Sequence, residues 1–503
     1  MRCLSKMRLF CAMLALPLAA ATISVPNGGD LQTALNEAKP GDTILLAAGG
    51  TYVGNFVLPA KTGTAEIAVE TKTAWPDARV SPSIATKFAK ILSPNSGPAI
   101  APAPYAQHWR LRGLELASKP GIYTMGVINL TSPTLSDENS YPAHIIVARC
   151  YIHGDPTVGG KRGIALNGSD IWVQNSYISD FKSNFQDAQA IAGWEGPGPF
   201  HILNNYLEGG QAILFGGAAP AIVGLIPSNI TIENNYMSRP LSWKGVWNVK
   251  NQLELKIGEN VTVMNNVIEN NWISKQNGYI ILFTVRTCEA GNYSWSVIHN
   301  VNFSYNLVRN SDYGINVLGT DNVRSACGGG MAGLTSDVVI TNNLFEDIGG
   351  FLQVLSGAKQ ITVDHNTAIM DRTGDPIGMD GTASYGFVFN NNITGFGNSG
   401  VIGNGTNGQI TTFAKFAPDG IFQHNALIDA NPTYLESRYV KLTFFPANIA
   451  AIDFVDVSSG DYALASTSPY VAADTNGNAI GADFNAVVQH VATAVAGNVL
   501  MGP

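Results

Sequence analysis

The sequence predicts an all-β solenoid, a right-handed parallel β-helix with a short N-terminal capping helix and a C-terminal helix, on three observations. A short asparagine-centred segment recurs along most of the chain. Glycine (53 of 503 residues) and asparagine are abundant, whereas only 13% of residues are charged. Amphipathic helical patterns stand only near the two ends. Few charges, many tight-turn residues and short β-branched runs are the composition of a β protein with many corners.

The recurring segment alternates apolar and other residues, a strand signal, and then places asparagine at a bend. It reads Val-Gln-Asn-Ser-Tyr-Ile at 173–178, Leu-Asn-Asn-Tyr-Leu at 203–207, Ile-Glu-Asn-Asn-Tyr-Met at 232–237 and Val-Met-Asn-Asn-Val-Ile at 263–268. Five further copies follow, and alignment puts Ser176, Asn205, Asn235, Asn266, Asn306, Asn343, Asn366, Asn391 and Asn425 in one column. If each copy is one coil, those amides stack and can bond the bend of the neighbouring coil. Asparagine suits such a bend because it tolerates the left-handed region. Variable spacing then means loops of variable length on a constant core. Copies spaced this closely leave no room for a four-stranded propeller blade.

A second strand set lies between the copies, including 189–193, 211–216, 252–256, 279–284, 314–319 and 351–356. Alternation predicts inward positions at Ala190, Ala212, Leu253, Ile280, Ile315 and Leu352. It predicts a second inward set at Ala192, Leu214, Leu255, Leu282, Val317 and Val354.

The ends fit a capped solenoid. Residues 1–21 read as a secretory signal: Arg2, Lys6 and Arg8 precede a ten-residue apolar run that is too short to span a bilayer, and alanines follow. The expectation is a soluble exported chain, periplasmic or extracellular, with no membrane span. Asp30 begins a helix signal, so 22–60 is assigned to the cap and first coil, 22–482 to the solenoid and 483–503 to a helix and tail that either seals the far end or packs along the side. The net charge of −8 argues against nucleic acid as the main partner. A monomer is expected. Cys288 and Cys327 follow apolar runs in Gly-rich stretches, and a disulfide and two free thiols both remain open.

The opening Leu31-Gln-Thr-Ala-Leu with Pro40-Gly-Asp-Thr-Ile, the asparagine column and the close from Ser459-Gly-Asp-Tyr-Ala-Leu to Ile480-Gly-Ala-Asp resemble the pectate-lyase-like right-handed parallel β-helix superfamily over nearly the whole mature chain. Ala190-Ile-Ala-Gly-Trp-Glu, Leu241-Ser-Trp-Lys, Trp247-Asn-Val-Lys and Leu282-Phe-Thr-Val-Arg resemble an uncharacterised secreted bacterial group within it. The resemblance implies polysaccharide lyases, glycoside hydrolases or surface proteins. The Arg-x-Pro-x-x-Arg pattern of pectate lyases is absent, as is the aspartate set of polygalacturonase-like hydrolases, so no catalytic residue transfers.

Candidate chemistry therefore comes from the residues. Glu254 and Lys256 project together from a strand whose neighbours are mostly apolar, with Lys250 and Arg286 beside them. These four are the catalytic candidates. Trp194, Glu195, Lys244, Trp247, Asn316 and Asp321 are the substrate-binding candidates, since aromatic faces stack on sugars and cations bind uronate carboxylates. A lyase needs a base and a cation for the enolate, whereas a hydrolase needs two carboxylates. The lysines favour a lyase acting on an acidic glycan by β-elimination. No residue set assigns a metal. Asp312 or Asp321-Asn322 could ligate Ca²⁺ through oxygen, although Asp/Asn turns are far commoner than calcium sites. The competing readings are a glycoside hydrolase, or a non-catalytic glycan-binding protein in which Glu254 and Lys256 are a covered ion pair and the tryptophans pack loops.

Overall fold

A computed structural model describes residues 20–74, 78–131, 137–218, 220–286, 292–321, 331–371, 374–430, 435 and 437–498. Residues 1–19 of the expected signal, Cys288, Cys327 and Asn322 lie outside the described residues.

The chain winds as successive coils, each contributing a strand to three faces, here sheets I, II and III in chain order. Sheet I holds the strand before the asparagine bend, and among the described residues it is 14-stranded and follows chain order from Thr22–Val25 to Ile421–Gln423. Sheet II holds the strand after the bend, such as Tyr177–Phe181, Tyr206–Gly209 and Val267–Asn271. Sheet III holds the next, such as Gln189–Gly193, Gln211–Phe215, Leu253–Leu255 and Tyr279–Thr284. The coil-to-coil pairings are parallel and in register, and the fold is a right-handed parallel β-helix. Isoleucine, valine, leucine and phenylalanine from all three sheets fill one continuous core.

The bend is held by a ladder of side chains. Ser176 N–H donates to Asn205 Oδ1 (3.0 Å), Asn205 to Asn235 (2.9 Å), Asn235 to Asn266 (2.9 Å) and Asn266 to Asn306 (3.0 Å). It continues through Asn343, Asn366, Asn392 and Asn425. Asn392 takes the position expected for Asn391. In the run Asn390-Asn391-Asn392 composition cannot tell the rungs apart, but backbone can. The residue before each rung takes the left-handed conformation, and Asn391 (φ 56°) belongs to that set with Asn204, Asn234, Asn265 and Asn342. His365 (φ 51°) and His424 (φ 56°) fill the same position, which gives both a structural role.

Left-handed residues also recur every fifth residue around a coil: Asp170, Asn175 and Asp180; Asn260, Asn265 and Asn270; Asn300, Tyr305 and Asn310; Asp337, Asn342 and Asp347. Short polar side chains make that conformation tolerable, so the corners are written in the sequence as Asn and Asp at fixed spacing.

Sheet III corrects part of the expected facing. Leu253, Leu255, Ile315, Val317, Leu352 and Val354 point inward, but their partners in register are Ile213, Phe215, Ile281 and Phe283. Ala192, Leu214 and Leu282 therefore stand on the outer side, and a slip of one residue exchanges the faces of a strand. Ala190, Ala212 and Ile280 still belong to the core, where the chain turns into the sheet.

The N-terminal end is sealed by the helix Leu31–Glu37, capped by Asp30 accepting from Thr33 N–H and burying Leu31, Ala34 and Leu35. The far end is closed by the helix Gln409–Phe416 through Phe413 and Phe416, an element the sequence reading did not foresee. The C-terminal helix, Phe484–Ala496, lies along sheet II, with Val487, Val491 and Ala494 against Val267 and Leu344. Among the described residues no helix is long and apolar enough to cross a membrane.

Candidate functional site

Glu254 and Lys256 stand two apart on Leu253–Leu255 and its extension, both on the outer side of sheet III. In register with Glu254 are Leu214 in the preceding coil and Leu282 in the next, then Asn316. Glu254 thus stands between two leucines in its row. Glu254 is 1% exposed. Its Oε2 accepts from Gln211 Nε2 at 2.6 Å and its Oε1 lies 3.6 Å from Lys256 Nζ. A buried carboxylate requires such partners. Gln211 also donates to Asn251 Oδ1 (2.8 Å) and accepts from Gln189 Nε2 (3.0 Å). The result is a buried amide chain from Gln189 through Gln211 to Glu254, ending at the lysine.

Lys256 follows the residue paired with Phe215, its N–H donating to Phe215 O at 2.7 Å. Gly216 and Trp194 hold the equivalent places one and two coils earlier. Gly216 has φ +119°, and a Cβ there would lie 2.6 Å from Lys256 Cβ. The Lys256 side chain therefore packs close over Gly216, which has no side chain to hold it off. On the other side Arg286 N–H donates to Lys256 O at 3.1 Å, and the Arg286 guanidinium pairs with Asp321 at 2.5 Å. The guanidinium is a third exposed, so it faces solvent beside the lysine while Asp321 is held behind it.

Trp194 is half-buried. Its ring carries the Arg162 guanidinium at 4.8 Å, and its N–H donates to Asn167 Oδ1 at 2.9 Å. Burial pushes the Arg162 guanidinium down to about 10. The Glu195 carboxylate accepts from Ala221 N–H at 3.2 Å, and burial raises its pKa. Asn316 Oδ1 is buried without a hydrogen-bond partner among the described residues, as are Gln189 Oε1 and Asn251 Nδ2.

The remaining candidates build a loop wall. Lys250 pairs with Asp187 at 2.5 Å, and Lys244 is fully in solvent. Trp247 packs with Trp243, Val249 and Trp272, and the Lys182 ammonium sits over the Trp243 and Trp247 rings at 5.2 and 5.4 Å. Three of the tryptophans thus pack a loop, as the competing sequence reading had it. Asp312, weighed for Ca²⁺, accepts from Ile273 N–H at 2.6 Å. Among the described residues no group of three or more His, Cys, Asp or Glu side chains is arranged to hold a metal ion.

Sequence reasoning missed Gln189, Gln211, Asn251 and Arg162. The signal was present, since Gln189 and Gln211 open successive Gln-Ala-Ile strands at one register position. It also missed a buried group under the wall. Glu208 accepts from Asp180 N–H at 3.1 Å and lies near Lys182, and burial pushes its carboxyl up to about 7. The unfolded value is about 4.3. Between those values the folded chain keeps a proton that the unfolded chain has released. The stabilisation is full below about pH 4.3 and is lost as pH rises to about 7, a change on the order of 3 kcal/mol. Denaturant melts at pH 5 and pH 8 are expected to differ less in Glu208→Gln than in the parent, and an unchanged difference would contradict this account.

No protein-family model matches the chain, and no curated protein matches its sequence. Among solved structures, the catalytic unit of a thermostable GH87 α-1,3-glucanase from Streptomyces thermodiastaticus is similar over 80% of this chain and 68% of its own, with TM-score 0.50 and 14% identity. The PL6 alginate lyase AlyGC is similar over 92% of this chain and 58% of its own (TM-score 0.45, 14% identity). Pectate lyase Pel9A is similar over 91% and 92% (TM-score 0.36, 13% identity). At such identities the likeness shows the fold alone, and the class of this protein is the right-handed parallel β-helix.

Proposed function

We propose that the protein is an exported carbohydrate-active enzyme, a polysaccharide lyase that cleaves an acidic glycan by β-elimination on the outer side of sheet III. One observation carries the reading: Lys256 is joined through its backbone to Arg286 in the next coil, and Gly216 and Trp194 hold its place in the two coils before. A sugar stacked on Trp194 would extend over Gly216 and bring the next residue to the two cations. Arg286 would neutralise the uronate carboxylate, which acidifies the adjacent C–H. Lys256, in its neutral form, would take that proton. The electron pair left behind forms the double bond as the glycosidic C–O bond breaks, and the departing oxygen takes up a proton.

The two buried acids support this reading over hydrolysis. A hydrolase needs two carboxyl groups facing one scissile bond. Glu254 and Glu195 are 1% and 4% exposed and are bound to Gln211 and to Ala221 N–H. The test is the ultraviolet absorbance of an unsaturated product when the protein is mixed with alginate, polygalacturonate and glucuronan, with and without Ca²⁺. A rise is expected with at least one of them. New reducing ends without a rise would make the protein a hydrolase, and neither signal would make it a binding protein.

A further inference from the structure

The opposite side of the solenoid carries a second surface with different chemistry. On sheet I one outward residue per coil stays in register through Trp172, His201, Thr231, Thr262, Asn302, Val339, Thr362, Val388 and Ile421. At about 4.8 Å per coil this row runs for roughly 38 Å. Beside it stands the first column of left-handed corner residues, including Asn229, Asn260 and Asn300, whose φ values lie between 54° and 55°. Their amides are linked, Asn300 Nδ2 to Asn260 Oδ1 at 2.8 Å and Asn260 Nδ2 to Asn229 Oδ1 at 3.4 Å. Row and column enclose two hollows of about 360 and 490 Å³, and Asn300 lines both, so they form one trough along the axis.

The chemistry of the trough selects its occupant. The smaller hollow is lined by Asn, Thr, Val, Pro and His201, with no acidic side chain, lysine or arginine. Burial holds the His201 ring below its usual pKa, which keeps it neutral. The larger hollow has two carboxylates and no lysine or arginine. Asp337 faces His299 at 3.1 Å, and Asp419 accepts from Gly386 N–H at 3.0 Å. A polyanion laid here would meet carboxylates without a lysine or arginine in the lining to offset them. An amide has two donor hydrogens and two lone pairs, and the ladder uses only part of that capacity at Asn229, Asn260 and Asn300, all exposed. At the N-terminal end the Trp172 ring stacks on His201 at 3.8 Å and is tied by its Nε1–H to Asp170 at 2.8 Å. A fixed aromatic pair at the head of a straight, amide- and hydroxyl-lined trough without lysine or arginine matches a linear polyol better than a polyanion.

We propose that the outer face of sheet I, from Trp172 to Ile421, binds an uncharged polysaccharide chain lying along the solenoid axis. This site is independent of sheet III. It would hold the protein on a neutral glycan whatever reaction sheet III performs.

The experiment is native gel electrophoresis of the full chain in gels cast with laminarin, xyloglucan, galactomannan, starch, alginate or polygalacturonate. Retardation by at least one uncharged polymer is expected, with at least tenfold weaker affinity in Thr262→Glu and in Trp172→Ala and no change in Lys256→Ala. Thr262 and Trp172 are half-exposed on the sheet, and unchanged far-ultraviolet circular dichroism shows that the variants fold. No retardation by any uncharged polymer overturns the proposal, as does retardation by the polyuronates alone. Retardation that Lys256→Ala abolishes would assign the binding to sheet III and also overturn it. A dimer in sedimentation that Thr262→Glu dissolves would make the face a contact between two copies, again against the proposal. Loss of lyase activity in Lys256→Ala with retained retardation separates the two readings.

Discussion

Replacing Asn306 with alanine is expected to destabilise the solenoid by about 3–5 kcal/mol, more than any surface substitution. Asn306 is fully buried at the middle of the ladder. Its Oδ1 accepts from both the Asn266 N–H and Asn266 Nδ2 at 3.0 Å. Its Nδ2 donates to Val263 O, Ser304 O and Asn343 Oδ1, each at 3.0 Å. Alanine leaves the Asn266 N–H in the core without its partner, and water cannot replace it there. Removing one partner from a buried pair costs the desolvation of the other. Asn425→Ala should cost less, because among the described residues its Nδ2 reaches only Phe389 O and no further rung follows it. Equilibrium denaturation followed by far-ultraviolet circular dichroism gives both values. Equal and small losses, under about 1 kcal/mol, would mean that the ladder follows from the coil rather than holding it.

That ladder was legible in the sequence because two constraints coincide on neighbouring residues. One must take a left-handed backbone and the next must present both an acceptor and a donor inward, and asparagine is the residue that suits both tasks. The pairs Asn204-Asn205, Asn234-Asn235 and Asn265-Asn266 show this directly. Where a third asparagine joined them at 390–392, the pattern lost its phase, and the rung was assigned to Asn391 instead of Asn392.

Sheet III was read less well for a related reason. In two of its strands, Gln211–Phe215 and Tyr279–Thr284, the outward residues are buried as well as the inward ones, and both faces are apolar. Alternation then carries no phase. Only Leu253–Leu255 kept one, because Glu254 breaks the run. The same residue marked the candidate site. Its partner Gln211 could not be found this way, since it comes from a segment 43 residues away and meets Glu254 only through the coil. Lys250 and Lys244 lie close to Glu254 in sequence, yet one is drawn to Asp187 and the other stands in solvent.

The site's own prediction has the larger effect on function. In the proposed lyase, Lys256→Ala is expected to lower kcat by about 10²–10⁴ with little change in KM, since a proton acceptor acts in the transition state. Arg286→Ala should raise KM as well as lower kcat, because the guanidinium would hold the uronate carboxylate before and during the reaction. Glu254→Gln separates charge from position. It keeps a side chain that can bond Gln211 but removes the anion 3.6 Å from Lys256 Nζ. Loss of that anion favours the neutral amine, so the pH–rate profile should move to lower pH while the fold persists. Gly216→Ala tests placement. It removes no reactive group, but at φ +119° it strains the backbone, and its Cβ would lie 2.6 Å from Lys256 Cβ and must push that side chain away. A fall in kcat in Gly216→Ala, with circular dichroism unchanged, would show that the lysine works from the position the coil gives it. Full turnover in Lys256→Ala would remove the lysine from the chemistry and with it the lyase reading of this surface.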